Sequence, residues 1–164
     1  MIVRARATQL FLVRHAPALP RAAGGGDAAR PLSPEGSASF GRSVRGLERL
    51  GLRFDRLYHS PWLRAVQTAD ALMPLVDGES VVCPDLARAP SAELLSCLRG
   101  ERVALVGHEP WLSALCAWLM LGSPASGNRL VIKKGGVVRL QGKLAPSGME
   151  LLALLPPKAL RALG

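Results

Sequence analysis

The chain has 164 residues, 49% of them hydrophobic, which suffices for one domain with a sizeable core and falls short of two. Only 4% are aromatic, so Leu, Val and Ala must fill that core. Lys and Arg number 21 against 12 Asp and Glu, a formal net charge of +9, which favours anionic partners such as phosphorylated small molecules, phosphoproteins, nucleic acid or acidic membrane.

Arg4, Arg6 and Arg14 punctuate the N-terminus, which has no apolar core of secretory-signal length. Thr8–Val13 (TQLFLV) is a short apolar run that predicts a buried strand stopping at Arg14-His15. The Gly-, Pro- and Ala-rich stretch after it, with Gly24-Gly25-Gly26-Asp27, has the length of a functional loop. Ser33-Pro34-Glu35 then supplies an N-cap hydroxyl, a proline at the first helical position and a first-turn carboxylate. That helix is expected to end at Gly51. Asp55–Tyr58 is a second short strand, followed by another helix start at Ser60-Pro61 and a helix to about Val76.

Ser80–Cys83 is a weak strand, Ser91 caps a short helix, and Arg102–Val106 (RVALV) is a clear buried strand. The chain breaks at Gly107-His108, and Pro110 opens a helix that ends at Gly122. Its apolar stretch, Trp111 to Leu121, is interrupted by Ser113 and too short to span a bilayer. Leu130–Leu155 carries β-type runs around Gly135-Gly136 and Gly142 and reads as a hairpin or meander. Cys83, Cys97 and Cys116 lack CxxC spacing and are odd in number, against a disulfide framework or zinc site and for a reducing compartment. The expectation is a cytoplasmic protein with no membrane partner. Strands alternating with helices predict a three-layer α/β/α domain over residues 1–164, with a mostly parallel sheet and helices on both faces.

Three segments share one design, a strand, a sharp polar break and a helix: Val13-Arg14-His15-Ala16, Tyr58-His59-Ser60-Pro61-Trp62-Leu63-Arg64 and Val106-Gly107-His108-Glu109-Pro110. Ligands of open α/β sheets bind at the carboxyl ends of the strands, so all three breaks aim Arg or His at one rim. Guanidinium groups bind phosphate oxygens bidentately and stay charged. Free amides at helix starts add donors, and an imidazole can attack phosphorus to form a covalent intermediate. The combination suits a doubly charged tetrahedral anion and its transfer.

LFLVRHA, RPLSPEG, SPWLRAVQT and LVGHEPWL, in that order over roughly residues 8 to 140, resemble the histidine phosphatase superfamily, or phosphoglycerate mutase-like fold. The short length, RHA in place of the commoner RHG, and Lys133-Lys134-Gly135-Gly136 make the chain most similar to the SixA-type phosphohistidine phosphatases. The resemblance implies a cofactor-free phosphatase with His15 as nucleophile and Arg14 and Arg64 as phosphate-binding arginines. It makes His108 the second histidine, which contacts the phosphoryl group, and places Ser60 at the motif serine that fixes the turn aiming Arg64. The implied partner is phosphohistidine in a protein; the alternative is a small phosphorylated metabolite.

His59 alternates with Tyr58 across its strand and is read as structural, at most lining the pocket edge. No HxH or HExxH pair exists, and the arginines repel a cation, so no metal is expected. Gly24–Gly26 lacks the Lys-Ser/Thr of a Walker loop and reads as a flexible cover. Lys133 and Lys134 either rim the site or are solvated. Larger superfamily members carry a glutamate that protonates the leaving oxygen; Asp85, Glu93 and Glu109 are the weak candidates here. A basic nucleic-acid-binding module without catalysis is a distant alternative, opposed by the lack of a nucleic-acid motif and of aromatics for stacking.

Overall fold

The computed structural model describes residues 7–164; Arg4 and Arg6 lie outside the described residues. Strand β1 (Thr8–Arg14) is central to one six-stranded sheet. The others are β2 (Phe54–His59), β3 (Val76–Val82), β4 (Arg102–Gly107), β5 (Val137–Gly142) and β6 (Met149–Leu155). They stand in the order β3-β2-β4-β1-β5-β6. The first four strands of that order are mutually parallel, and β5 and β6 form an antiparallel hairpin on the β1 side. Helices α1 (Pro34–Arg49), α2 (Leu63–Leu72), α3 (Ala92–Cys97), α4 (Trp111–Leu121) and α5 (Pro157–Leu163) cover both faces.

Side-chain alternation divides the core into two layers. Phe11 and Val13 of β1 and Ala104 and Val106 of β4 pack with Phe40 and Leu47 of α1, Leu72 of α2 and Leu160 of α5. Leu10, Leu12, Val103 and Leu105 face the opposite way, onto Leu94 of α3 and Leu112, Leu115 and Leu119 of α4. Burial on both faces explains why TQLFLV and RVALV read as unbroken apolar runs instead of alternating ones. Each fully buried aliphatic side chain contributes about 1.5–3 kcal/mol against the entropy of ordering.

The caps follow local chemistry. Ser33 Oγ accepts from the Gly36 amide at 2.9 Å, ahead of Pro34. Helix α1 stops at Arg49, and the turn is completed by Gly51 at φ +70°, a left-handed position that glycine occupies without steric cost. Helix α4 ends the same way at Gly122.

Three expectations need correction. The helix expected from Ser60-Pro61 starts at Leu63 with Trp62 as its cap residue, because Ser60 Oγ accepts from the Trp62 amide and holds a turn ahead of the helix. It ends at Leu72 instead of Val76, since Pro74 offers no amide and forces a short 3-10 turn before β3 opens at Val76. In the C-terminal region, 130–136 is not β; a 3-10 turn (Pro124–Arg129) and a loop precede β5.

Gly46 lies on the buried face of α1, where an added Cβ would sit 2.1 Å from the Leu160 carbonyl oxygen of α5. Alanine favours a helix over glycine by about 1 kcal/mol, but here the clash is with backbone and wins. Gly46→Ala is expected to destabilise by about 1–3 kcal/mol in urea unfolding. An unchanged or raised midpoint would show that α5 does not pack on α1 this closely.

Candidate active site

Backbone hydrogen bonds continue the sheet past its strand ends. The His15 amide donates to Gly107 O at 3.1 Å and the Ser60 amide to Val106 O at 3.0 Å. The residues just after β1 and β2 are thereby docked against β4, and the sequence-predicted Arg14, His15, Ser60, Arg64 and His108 converge at one end of the sheet.

His15 is 4% exposed. Its Nδ1 lies 2.7 Å from the Ala16 carbonyl, which can only accept, so we assign the proton to Nδ1 and the lone pair to Nε2. Arg64 Nε donates to that Nε2 at 3.2 Å. The Ala16 amide is fixed by Thr68 Oγ1 at 3.0 Å, and the same hydroxyl donates to Arg64 O at 2.7 Å. One threonine of α2 thus ties the His15 turn to the helix turn that carries Arg64.

Arg64 is 3% exposed. Its guanidinium lies 4.6 Å over the Trp62 ring. Nη1 donates to the Asp27 carbonyl at 2.7 Å, and Nη2 to Asp27 Oδ2 at 3.0 Å. Burial lowers its pKa, and the Asp27 contact works against that. Arg14 reaches the other side of the site, donating from Nη1 to Ile132 O at 2.8 Å, while its buried Nε has no partner.

The His108 ring packs at a tilt against Trp62, 4.5 Å between centroids, and against His15 at 5.1 Å. Its Nε2 lies 2.8 Å from Ser60 Oγ. Since that oxygen already accepts the Trp62 amide, we assign the Ser60 proton to His108 Nε2, which leaves Nδ1–H, buried and unpartnered, as a donor. Burial pushes the His15 pKa down to about 4, and Arg64, Arg14 and Lys134 lower it too, against the Ala16 carbonyl. Burial, then His15 and Arg64, push His108 down to about 3. Both rings are neutral at pH 7, which leaves His15 with an unprotonated Nε2 and His108 with one N–H donor.

The remaining sequence candidates fall outside this cluster or at its edge. His59 Nδ1 contacts the Ser60 carbonyl at 3.0 Å, a structural role. Lys134 acts on His15 by charge, whereas Lys133 lines a separate groove with Leu154 and Leu155. Asp85 pairs with Arg88, and the exposed Glu93 sits in the first turn of α3. Glu109 accepts from the Ser113 hydroxyl at 2.6 Å and from the Ser113 amide at 3.2 Å. None of these three carboxylates bonds to Arg14, His15 or Arg64. The carboxylate that does is Asp27, which sequence reasoning placed only in the glycine-rich loop; its signal was a lone acid beside a predicted cationic rim.

A trough of about 410 Å³ opens next to Arg14, lined by Glu109, Pro110, Pro124, Asn128, Leu130 and Val131 among others. Among the described residues, no group of three or more His, Cys, Asp or Glu is arranged to hold a metal, and no helix is long and apolar enough to cross a membrane.

A parallel-sheet rim holding two neutral histidines and two arginines defines a phosphoryl-handling α/β protein. The family model for the histidine phosphatase superfamily (branch 1) matches residues 10–89, and the chain belongs to that superfamily, a phosphatase by class. An uncharacterized protein of Picosynechococcus sp. strain PCC 7002 is 32% identical over 162 residues, covering 92% of this chain and 97% of that one. The fold is similar to that of the protein histidine phosphatase SixA complexed with tungstate (TM-score 0.77, 22% identity, 93% of this chain and 99% of that one). It is also similar to a phosphoserine phosphatase of Entamoeba histolytica in complex with 3-phosphoglyceric acid (TM-score 0.71, 16% identity, 93% and 99% covered).

The unfolded chain protonates these histidines near pH 6.5, the folded protein only near 4 and 3. Between those values the unfolded state holds more protons, so stability is full above pH 6.5 and falls as the pH drops toward 4. The loss is up to about 1.4 kcal/mol per pH unit for each histidine. Imidazole NMR at pH 5.5 should show both rings neutral; a protonated His15 or His108 there would contradict the assignment.

Proposed function

We propose that the protein hydrolyses a phosphorylated substrate through a covalent intermediate on His15 and that this substrate is phosphohistidine in a protein. The observation that carries this is the unprotonated Nε2 of His15, its ring proton kept on Nδ1 and donated to the Ala16 carbonyl, with Nε2 accepting from Arg64 Nε at 3.2 Å, a contact that an incoming phosphoryl group takes over. A phosphoryl dianion at that point is met by Arg64 on one side. Arg14 approaches from the other, and His108 Nδ1–H is free to donate. Their contribution is neutralisation of the equatorial oxygens as Nε2 attacks in line.

The carboxylates favour an undemanding leaving group. Glu109 has both oxygens taken by Ser113, and the Arg64 and Arg30 guanidiniums hold Asp27 ionised, against its desolvation. Neither is a poised acid for expelling an alkoxide. A phosphorylated imidazole departs as a neutral ring once its second nitrogen carries a proton, which solvent supplies near neutral pH, and the open trough beside Arg14 admits a side chain projecting from a protein surface. SixA, which shares the fold, is a protein histidine phosphatase; the same fold in a phosphoserine phosphatase keeps a small phosphate ester as the second reading.

Incubation with a labelled phosphodonor is expected to give an acid-labile, base-stable protein label that disappears in His15→Ala. Label persisting in that variant sinks the nucleophile assignment. Arg64→Ala is expected to lower kcat/KM about 10²–10³-fold, measured on p-nitrophenyl phosphate. A panel of phosphohistidine peptides and alkyl phosphate esters decides the substrate: faster turnover of the alkyl esters would replace the phosphohistidine reading with the metabolite one.

A further inference from the structure

Asp27 is joined to the proposed nucleophile through a single guanidinium. Arg64 Nε contacts His15 Nε2 at 3.2 Å while Nη2 of the same group holds Asp27 Oδ2 at 3.0 Å. A phosphoryl group on Nε2 therefore lies along the guanidinium edge whose far nitrogen carries the carboxylate. The two ends of that edge differ in depth: His15 is 4% exposed and the Asp27 side chain 37%. Phosphorus attached to Nε2 is attacked from the side opposite the nitrogen, and Asp27, held on Arg64 and the more exposed of the two, is the carboxylate that the water can meet on its way in from solvent. The second carboxylate oxygen, Oδ1, lies 3.2 Å from Arg30 Nε.

We propose that Asp27 is a catalytic base, taking the proton from the water that hydrolyses phospho-His15. This rests on the phospho-His15 reading above and adds the residue its second half requires. A lone pair of the water oxygen forms the new P–O bond as the P–Nε2 bonding pair returns to His15. The proton stays on Nδ1, donated to the Ala16 carbonyl, so the ring leaves neutral. The water proton passes to the Asp27 carboxylate and then to solvent, and the products are hydrogen phosphate, neutral His15 and the starting carboxylate. The groups facing Asp27 are all cationic, Arg64 from α2, Arg30 from the following turn and Arg21 from the preceding loop, and they keep it ionised, the form a base needs. Glu109 is the competing carboxylate near the trough, but its hydrogen bonds go to Ser113 at the start of α4 and none reaches Arg64, the group that contacts His15.

Rapid-quench kinetics with p-nitrophenyl phosphate separates the two half-reactions, because nitrophenolate leaves without a proton. Asp27→Asn keeps an oxygen to accept from Arg64. It is expected to release the first equivalent of nitrophenolate at close to the wild-type rate. It should then accumulate base-stable phosphoprotein and turn over about 10²–10⁴-fold more slowly. Asp27→Glu is expected to recover part of the turnover. A first turnover slowed as much as the steady state would overturn the proposal and leave Asp27 as a residue that only positions Arg64. Accumulation of phosphoprotein in Glu109→Gln instead would overturn it in favour of Glu109. If wild type and variants alike form no phosphohistidine, the intermediate itself falls and this inference with it, an outcome distinct from the other two.

Discussion

The parallel pairing of β1 with β4, in the register that sets Arg14 against Gly107, is the constraint on which the site depends. Strand β2 lies on the other side of β4, with His59 against Val106. Three chain segments therefore leave the sheet at one level, and the bonds from His15 to Gly107 O and from Ser60 to Val106 O carry that alignment one residue further. A shift of one residue in β1 would turn Phe11 and Val13 to the opposite face of the sheet and move His15 out of reach of Arg64. The large apolar side chains that make the slip costly are thus also what aims the site.

The site concentrates like charge where burial already disfavours charge. His15 faces Arg64, Arg14 and Lys134, and His108 faces His15, Arg64 and Arg14. Both rings respond by staying neutral, which leaves an unprotonated nitrogen on one, accepting from Arg64, and a donor on the other. Arg64 cannot neutralise, and its buried cation is balanced by Asp27 and by the Trp62 ring. An arriving phosphoryl dianion relieves the same repulsion, so the arrangement that weakens the empty protein favours the bound state.

Asp27 changes the view of the glycine-rich loop. Gly24–Gly26 is not a phosphate cradle; it leads into a three-residue turn, Asp27–Ala29, that presents a carboxylate and a carbonyl to Arg64. The loop is thereby part of the site and not a passive cover. Its single acid, partly exposed, is held on the guanidinium that contacts His15.

The sequence by itself determined the layered α/β fold, because unbroken apolar runs such as RVALV suit only strands buried on both faces, and Ser33-Pro34 and Gly122 mark helix ends by local chemistry. It also marked Arg14, His15, Ser60, Arg64 and His108, since each stands at or just past a strand end, where chain order and spacing are informative. The tertiary structure alone decided the rest. Ser60 caps no helix; it spends its oxygen on the Trp62 amide and touches His108. Asp85, Glu93 and Glu109 are engaged by Arg88, a helix start and Ser113, while Asp27, unremarkable in a Gly-rich run, meets Arg64 across 37 residues. Side-chain pairing between distant loops leaves no periodicity or spacing in the chain. Which carboxylate reaches the site depends on how the loop over it folds back.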